Sequence, residues 1–373
     1  MDKQPKDAKE MILLDSNESM EAVAQRFLER KKLYNPHSTE TVNQRMVFGG
    51  NPSSMADNSV VKYQWADNLW KMMENNTWFT KEPDLTGDKI DYLRLTKAEK
   101  RMYDLVLSQL IFMDKFQTDN IIDNVSPYIT APEINLVLIR QAYEEANHTK
   151  AYAVMVDGVA LDSKLIYNLP LTVPELEAKN EYIAKVFMDL AKEPTEENIV
   201  LGMFANQILE GTYFYSGFTC LYVLARSGKM LGSADMIRFI QRDEVTHLLL
   251  FQNMINSVRR ERPYLFTKEL EQKVRAMFRG AVKLETDWGK YLIAEGGILG
   301  LNDEIFDNYI KYLANQRLMA VGYEAEYKDE ANLPIKHPIK WVDDFSKFND
   351  QRTNFFEGTV KNYSKGELDW DED

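Results

Sequence analysis

A single cysteine, Cys220, leaves this 373-residue chain unable to close an internal disulfide. No apolar run approaches the roughly 18 residues of a membrane span. The hydrophilic start, Met1 to Lys9, lacks the apolar core of a signal peptide. Together these absences lead us to expect a cytoplasmic protein with no membrane partner. Positive charge is also short: a formal net charge of -13 disfavours nucleic acid, whose phosphates are held by Lys and Arg. A Gly-rich phosphate loop is missing, period-two alternation is scarce, and no repeat of 20 to 50 residues recurs, which argues against nucleotide loops, sandwiches and solenoids. Histidine is nearly absent, with only His37, His148, His247 and His337, yet two of these four stand in the same local pattern.

What is present points to helices. With 45% hydrophobic residues, 12% aromatics and a mean hydropathy of -0.42, the chain reads as globular and long enough for a large core. Residues 1 to about 60 are polar and read as a partly packed arm, with a helix around Ser19 to Lys32 and a Gly-Gly-Asn-Pro turn at 49 to 52. A short helix near Lys62 to Asn75 precedes a loop with Pro83 and Gly87, after which the long helices are expected to begin. Thr96 and Glu99 form a capping box for a helix to about Val125, and Thr130 with Glu133 a second for a helix to Gly158. A helix from Val173 to Leu190 is expected outside the central bundle. Thr195 caps a long helix through Glu210 to about Ala225, Ser233 caps one stopping before Pro263, and two more cover about 267 to 295 and 302 to 321. From Asn332 the chain turns polar and ends in acids.

The repeated pattern is Glu-x-x-His: Glu145 with His148, and Glu244 with His247. Residues three apart share a helix face, so each step presents a carboxylate and an imidazole to one ion. Dimetal carboxylate bundles add one further acid from each of two other helices. Asp114 and Glu210 fit, because each is an acid in an apolar helical stretch and costly to bury without a partner. Glu144 also shares a face with His148 at i+4; Glu145 is preferred because its spacing matches that of Glu244 to His247. Tyr152 stands one turn beyond His148 and so beside the expected metals.

At these residues the sequence resembles the small, radical-generating β subunit of class I ribonucleotide reductase, from about Lys62 to Tyr363. The most specific stretches are Glu144 to His148, Glu210 to Phe218 and Arg242 to His247. The resemblance implies an all-α, ferritin-like helical bundle with additional helices and a flexible C-terminal tail. Its expected divisions are an arm at 1–60, the dimetal domain at 61–340 and a docking tail at 341–373. It implies that O2 is activated at the metal pair, that Tyr152 is oxidised and stores the radical, and that Phe214, Phe218 and Ile240 wall it off. It further implies a route through Trp78 and Asp243 to Tyr363 and on to a separate large (α) subunit, where ribonucleotides become deoxyribonucleotides. The tail, with Leu368 and Trp370 among acids, would dock that subunit, and the chain would pair as a homodimer.

Among metals, the resemblance favours two iron ions. Tyr152 and the Asp at position 114 argue against the branch that uses a mixed MnFe pair; a Mn2 pair served by a flavoprotein activator is the open alternative. Two rivals share the bundle. A ligand-binding oxidase should lack the tail tyrosine and docking end, and a metal store would not need Trp78, Asp243 or Tyr363.

Overall fold

The computed structural model describes residues 26–53, 60–296 and 298–346. Helices dominate, and β pairing among the described residues is limited to isolated bridges such as Phe48 with Ile129. Among the described residues the first α-helix, α1 (Gln64–Asn75), buries Ala66, Leu69 and Met73 on one face. Next comes α2 (Thr86–Arg94), where the sequence reading expected only loop. Its apolar signal is faint because the residues it buries are Asp88 and Tyr92.

The helix α3 (Lys97–Asp119) opens with the expected capping box: Glu99 N donates to Thr96 Oγ1 at 3.2 Å, and Thr96 N to Glu99 Oε2 at 2.9 Å. It runs into a π-helical turn at Asn120–Val125 and packs along α4 (Pro132–Val159). The second expected capping box does not form. Thr130 Oγ1 donates instead to Gly49 O at 2.7 Å, and Glu133 accepts from the backbone N–H of Lys62 and Tyr63, capping the approach to α1. A carboxylate satisfies free helix N–H groups equally well from a neighbouring helix as from its own.

A short α5 (Ser163–Asn168) leads to α6 (Pro174–Lys192), which lies outside the site-bearing helices, against α7 (Glu196–Ile208) and a later helix. Thr195 caps α7 as expected, accepting from Asn198 N. The expected single helix to Ala225 is broken by a second π-helical turn, Leu209–Tyr213, before α8 (Phe214–Arg226). The next helix, α9 (Leu231–Glu261), is not capped by Ser233. It starts after Met230, whose φ of 56° lies in the left-handed region, and Asp88 of α2 accepts from Gly232 N at 2.9 Å and Ser233 N at 2.6 Å. The outer helices α10 (Lys268–Leu292), α11 (Asp303–Ala320) and α12 (Val342–Ser346) complete the order, and α10 is the second neighbour of α6.

The helix expected at Ser19 to Lys32 is contradicted in its described part. Residues 26–32 are not helical; Phe27 bridges to Thr195, and Leu28 N donates to Pro194 O at 2.7 Å. The remainder of that segment lies outside the described residues.

Candidate metal centre

Four helical elements deliver six buried ligand candidates to one point: Asp114 from α3, Glu145 and His148 from α4, Glu210 from the second π turn, and Glu244 and His247 from α9. All six are 0% exposed, so bulk solvent does not reach them. Their ligand atoms form two groups, Glu145 with Glu210, Glu244 and His247, and Asp114 with Glu145 and His148, each within 4.8 Å. Glu145 belongs to both.

The distances show how the two groups share walls. Glu244 places Oε1 3.2 Å from His148 Nδ1 and Oε2 3.2 Å from His247 Nδ1. Glu145 does the same in the opposite sense, with Oε2 3.7 Å from His148 Nδ1 and Oε1 3.2 Å from His247 Nδ1. Both glutamates therefore span the two imidazoles. Asp114 Oδ2 lies 3.7 Å from His148 Nδ1 at one end, and Glu210 Oε2 3.3 Å from His247 Nδ1 at the other. This is a cage in which two carboxylates reach both imidazoles and one further carboxylate stands beside the imidazole nitrogen at each end.

The atoms fit cations. Both oxygens of Asp114, Glu145 Oε2, His148 Nδ1 and Glu244 Oε1 are buried without a hydrogen-bond partner among the described residues. Leaving such atoms unpaired is costly, and two divalent ions would offset the four carboxylates. An oxygen-rich set with imidazole suits iron or manganese. The charges of the cage carry the same strain. Burial and Glu145 hold the Asp114 carboxyl well above its usual range, and burial with Glu145 and Glu244 does so for Glu210. Burial opposes the Glu244 carboxylate too, but His247 and its other partners outweigh it and hold it low.

Behind each imidazole stands an acid from the opposite helix. Asp243 Oδ2 lies 3.1 Å from His148 Nε2, and Glu144 Oε2 lies 3.0 Å from His247 Nε2. A partner on the distal nitrogen fixes the ring so that Nδ1 faces into the cage, where it could bind a metal ion. Glu144 is thus outside the cage, and Arg140 Nε donates to it at 2.9 Å. Trp78 Nε1 donates to the same Asp243 Oδ2 at 2.7 Å, and its ring stacks on Phe239 with centroids 5.2 Å apart. Trp78, Asp243 and His148 therefore form one continuous contact chain.

Tyr152 is fully buried, and its hydroxyl has no hydrogen-bond partner among the described residues. Burial, then the charges of Asp114, Glu244 and Glu145, raise its pKa well above the ordinary tyrosine value. Phe214, Phe218 and Ile240 are buried in the same core, with the two phenyl centroids 6.2 Å apart. Tyr363 and the acidic end lie outside the described residues. The sequence reading missed Gln117, Gln141 and Asn206, whose amides surround Glu210. Only Asn206, after Met203, Phe204 and Ala205, carries the signal that singled out the acids; Gln117 and Gln141 have polar or charged neighbours and give none.

A buried carboxylate and imidazole cage on packed helices defines a dimetal protein of the ferritin-like class. A family model described as "Ribonucleotide reductase, small chain" matches residues 58–334. The ribonucleoside-diphosphate reductase subunit beta of Treponema pallidum is 36% identical over 341 residues, covering 91% of this chain and 96% of that protein. A ribonucleotide reductase subunit from Clostridium botulinum superposes with a TM-score of 0.82 at 37% identity, covering 87% of this chain and 100% of that one. The dimanganese(II)-NrdF of Streptococcus sanguinis, at a TM-score of 0.64 and 19% identity, covers 79% and 99% and shares the fold. The chain belongs to the small-subunit family of class I ribonucleotide reductase. Among the described residues, no helix is long and apolar enough to cross a membrane.

Proposed function

We propose that the cage holds two iron ions and that Tyr152 is the residue oxidised beside them, storing the radical this family uses to reduce ribonucleotides. The observation that carries this reading is the crossed cage itself, with Tyr152 one turn beyond His148 and sealed from solvent. With dioxygen, a redox-active pair of ions there supplies the one-electron oxidation of a nearby phenol. The chain's own residues do the rest. His148 and His247 are oriented by Asp243 and Glu144, Glu145 and Glu244 span the two positions, and Asp114 and Glu210 close the ends. With its pKa raised, the Tyr152 hydroxyl rests as the neutral phenol and gives up its proton with its electron. The buried surroundings, including Phe214, Phe218 and Ile240, keep water and reductants away.

Export of the radical is assigned to the Trp78, Asp243 and His148 chain. Trp78 Nε1–H donates to Asp243 Oδ2, so an electron leaving the indole can be matched by movement of that N–H proton toward Asp243; Tyr363, in the tail at 341–373, passes the radical to the large subunit, and the acidic end, Glu367 to Asp373, docks it. Iron is preferred because Tyr152 and Asp114 match the tyrosyl-radical branch. The dimanganese relative is similar in fold alone at 19% identity, and a manganese pair in this chain would call for a flavoprotein activator. Pairing as a homodimer is supported by Leu136, Ile139 and Tyr143, an exposed apolar stripe at helical spacing on α4.

The test is reconstitution. Iron-loaded, oxygen-exposed protein mixed with a ribonucleotide reductase large subunit should reduce ribonucleoside diphosphates, and neither component should do so alone. Truncation after Phe356 should keep the radical and abolish turnover; normal turnover of the truncated chain would refute the tail's role.

A further inference from the structure

Glu210 sits in a ring of amides that nothing above requires. Its Oε1 accepts from Gln117 Nε2 at 2.5 Å, Gln141 Nε2 at 2.8 Å and Asn206 Nδ2 at 3.3 Å. Its Oε2 faces His247 Nδ1. All three amides are 0% exposed and come from three different helices. Gln141 Nε2 also reaches Glu145 Oε1 at 3.1 Å, tying a carboxylate at one end of the cage to one that reaches both imidazoles.

The direction of the Gln117 amide is set from outside the cage. Oxygen and nitrogen ends of an amide have nearly the same shape, so partners decide which way it points. Asn124 Nδ2 donates to Phe187 O at 2.9 Å, and a backbone carbonyl only accepts. Asn124 Nδ2 also donates to Asn120 Oδ1 at 2.9 Å, and Asn120 Nδ2 to Gln117 Oε1 at 3.1 Å. Each amide passes the choice to the next, so an N–H is what reaches Glu210.

A carboxylate offers about four lone-pair sites, two on each oxygen. Three N–H groups on Oε1 saturate that oxygen and leave Oε2 for a cation. Asp114, at the other end of the cage, is the opposite case, since neither of its oxygens has a hydrogen-bond partner among the described residues. We infer that Gln117, Gln141 and Asn206 are positioning residues that reserve Oε1 of Glu210, restrict it to one-oxygen ligation through Oε2, and so make the two metal positions unequal. This rests on the two-metal reading of the cage.

Loading the full chain with Mn(II) under exclusion of oxygen and determining its crystal structure tests both separately. The expected result is two ions, with Glu210 Oε2 at direct bonding distance from one, Oε1 beyond it, and the amides still on Oε1. In Gln117→Leu/Gln141→Leu, Oε1 should move onto the ion at that same distance, and the paramagnetic resonance spectrum of the Mn(II) pair should shift from that of the native protein. Gln117→Met, similar in length but without a donor, should move the spectrum in the same direction. Two ions with both Glu210 oxygens bound in the native protein would overturn the inference and leave the two-metal reading standing, as would variants that keep the native ligation. Fewer than two ions in the native protein would overturn both.

Discussion

Glu144 Oε2 lies 3.0 Å from Nε2 of His247, on the face of that ring turned away from the cage. Asp243 makes the matching contact to His148, so the residue just before each ligand glutamate serves the histidine of the other helix. The adjacent acids Glu144 and Glu145 thereby take different jobs. Glu144→Gln should still allow two ions but weaken Mn(II) affinity by about 10–100-fold, as loss of a carboxylate behind a ligand histidine does. Calorimetric titration measures this, and an unchanged affinity would contradict the role.

Trp78 shares Asp243 with His148, which links the indole to the cage without making it a ligand. Trp78→Phe keeps the buried ring and removes the N–H. Metal content and the tyrosyl signal should be retained, while turnover with the large subunit is lost. Loss of both signal and turnover would make Trp78 a structural support instead.

The second π turn is held by side chains from elsewhere: Arg317 Nε donates to Gly211 O at 3.0 Å, and Gln109 Nε2 to Tyr213 O at 2.9 Å. A Cβ on Gly211 would strike Arg317 and the side chain of Leu248. Gly211→Ala should therefore cost about 1–3 kcal/mol of stability, the usual range for overpacking, and reduce metal occupancy at the Glu210 end. Denaturant unfolding and metal analysis check the two effects.

Asp104 supplies a pH test away from the cage. Burial raises its pKa to about 6, against the lowering effect of the Tyr92 hydroxyl that donates to it at 2.8 Å. The folded state holds this proton more tightly than the unfolded chain, so its contribution is fully present below the unfolded value near 4 and is lost as pH rises through about 6. Compared with Asp104→Asn, the native protein should lose on the order of 2 kcal/mol between pH 4 and pH 7. Parallel unfolding curves across that range measure the difference.

Much of the cage was legible because helical spacing is a local rule: Glu145 with His148 and Glu244 with His247 follow from steps of three, and Asp114 and Glu210 from acids in apolar surroundings. The Thr96 cap was legible for the same reason. What could not be read depends on partners far along the chain. Glu133 caps the approach to α1, Asp88 replaces Ser233 at the start of α9, and the amides that face Glu210 come from three helices. The π turns were hidden too, since one inserted residue in a helix leaves little mark on apolar spacing.

The most direct test of the central claim is paramagnetic resonance of iron-loaded, oxygen-exposed protein beside its Tyr152→Phe variant, with metal content measured on both. The account predicts two ions in each, a sharp tyrosyl signal in the native protein and none in the variant. An undiminished signal in Tyr152→Phe would contradict it.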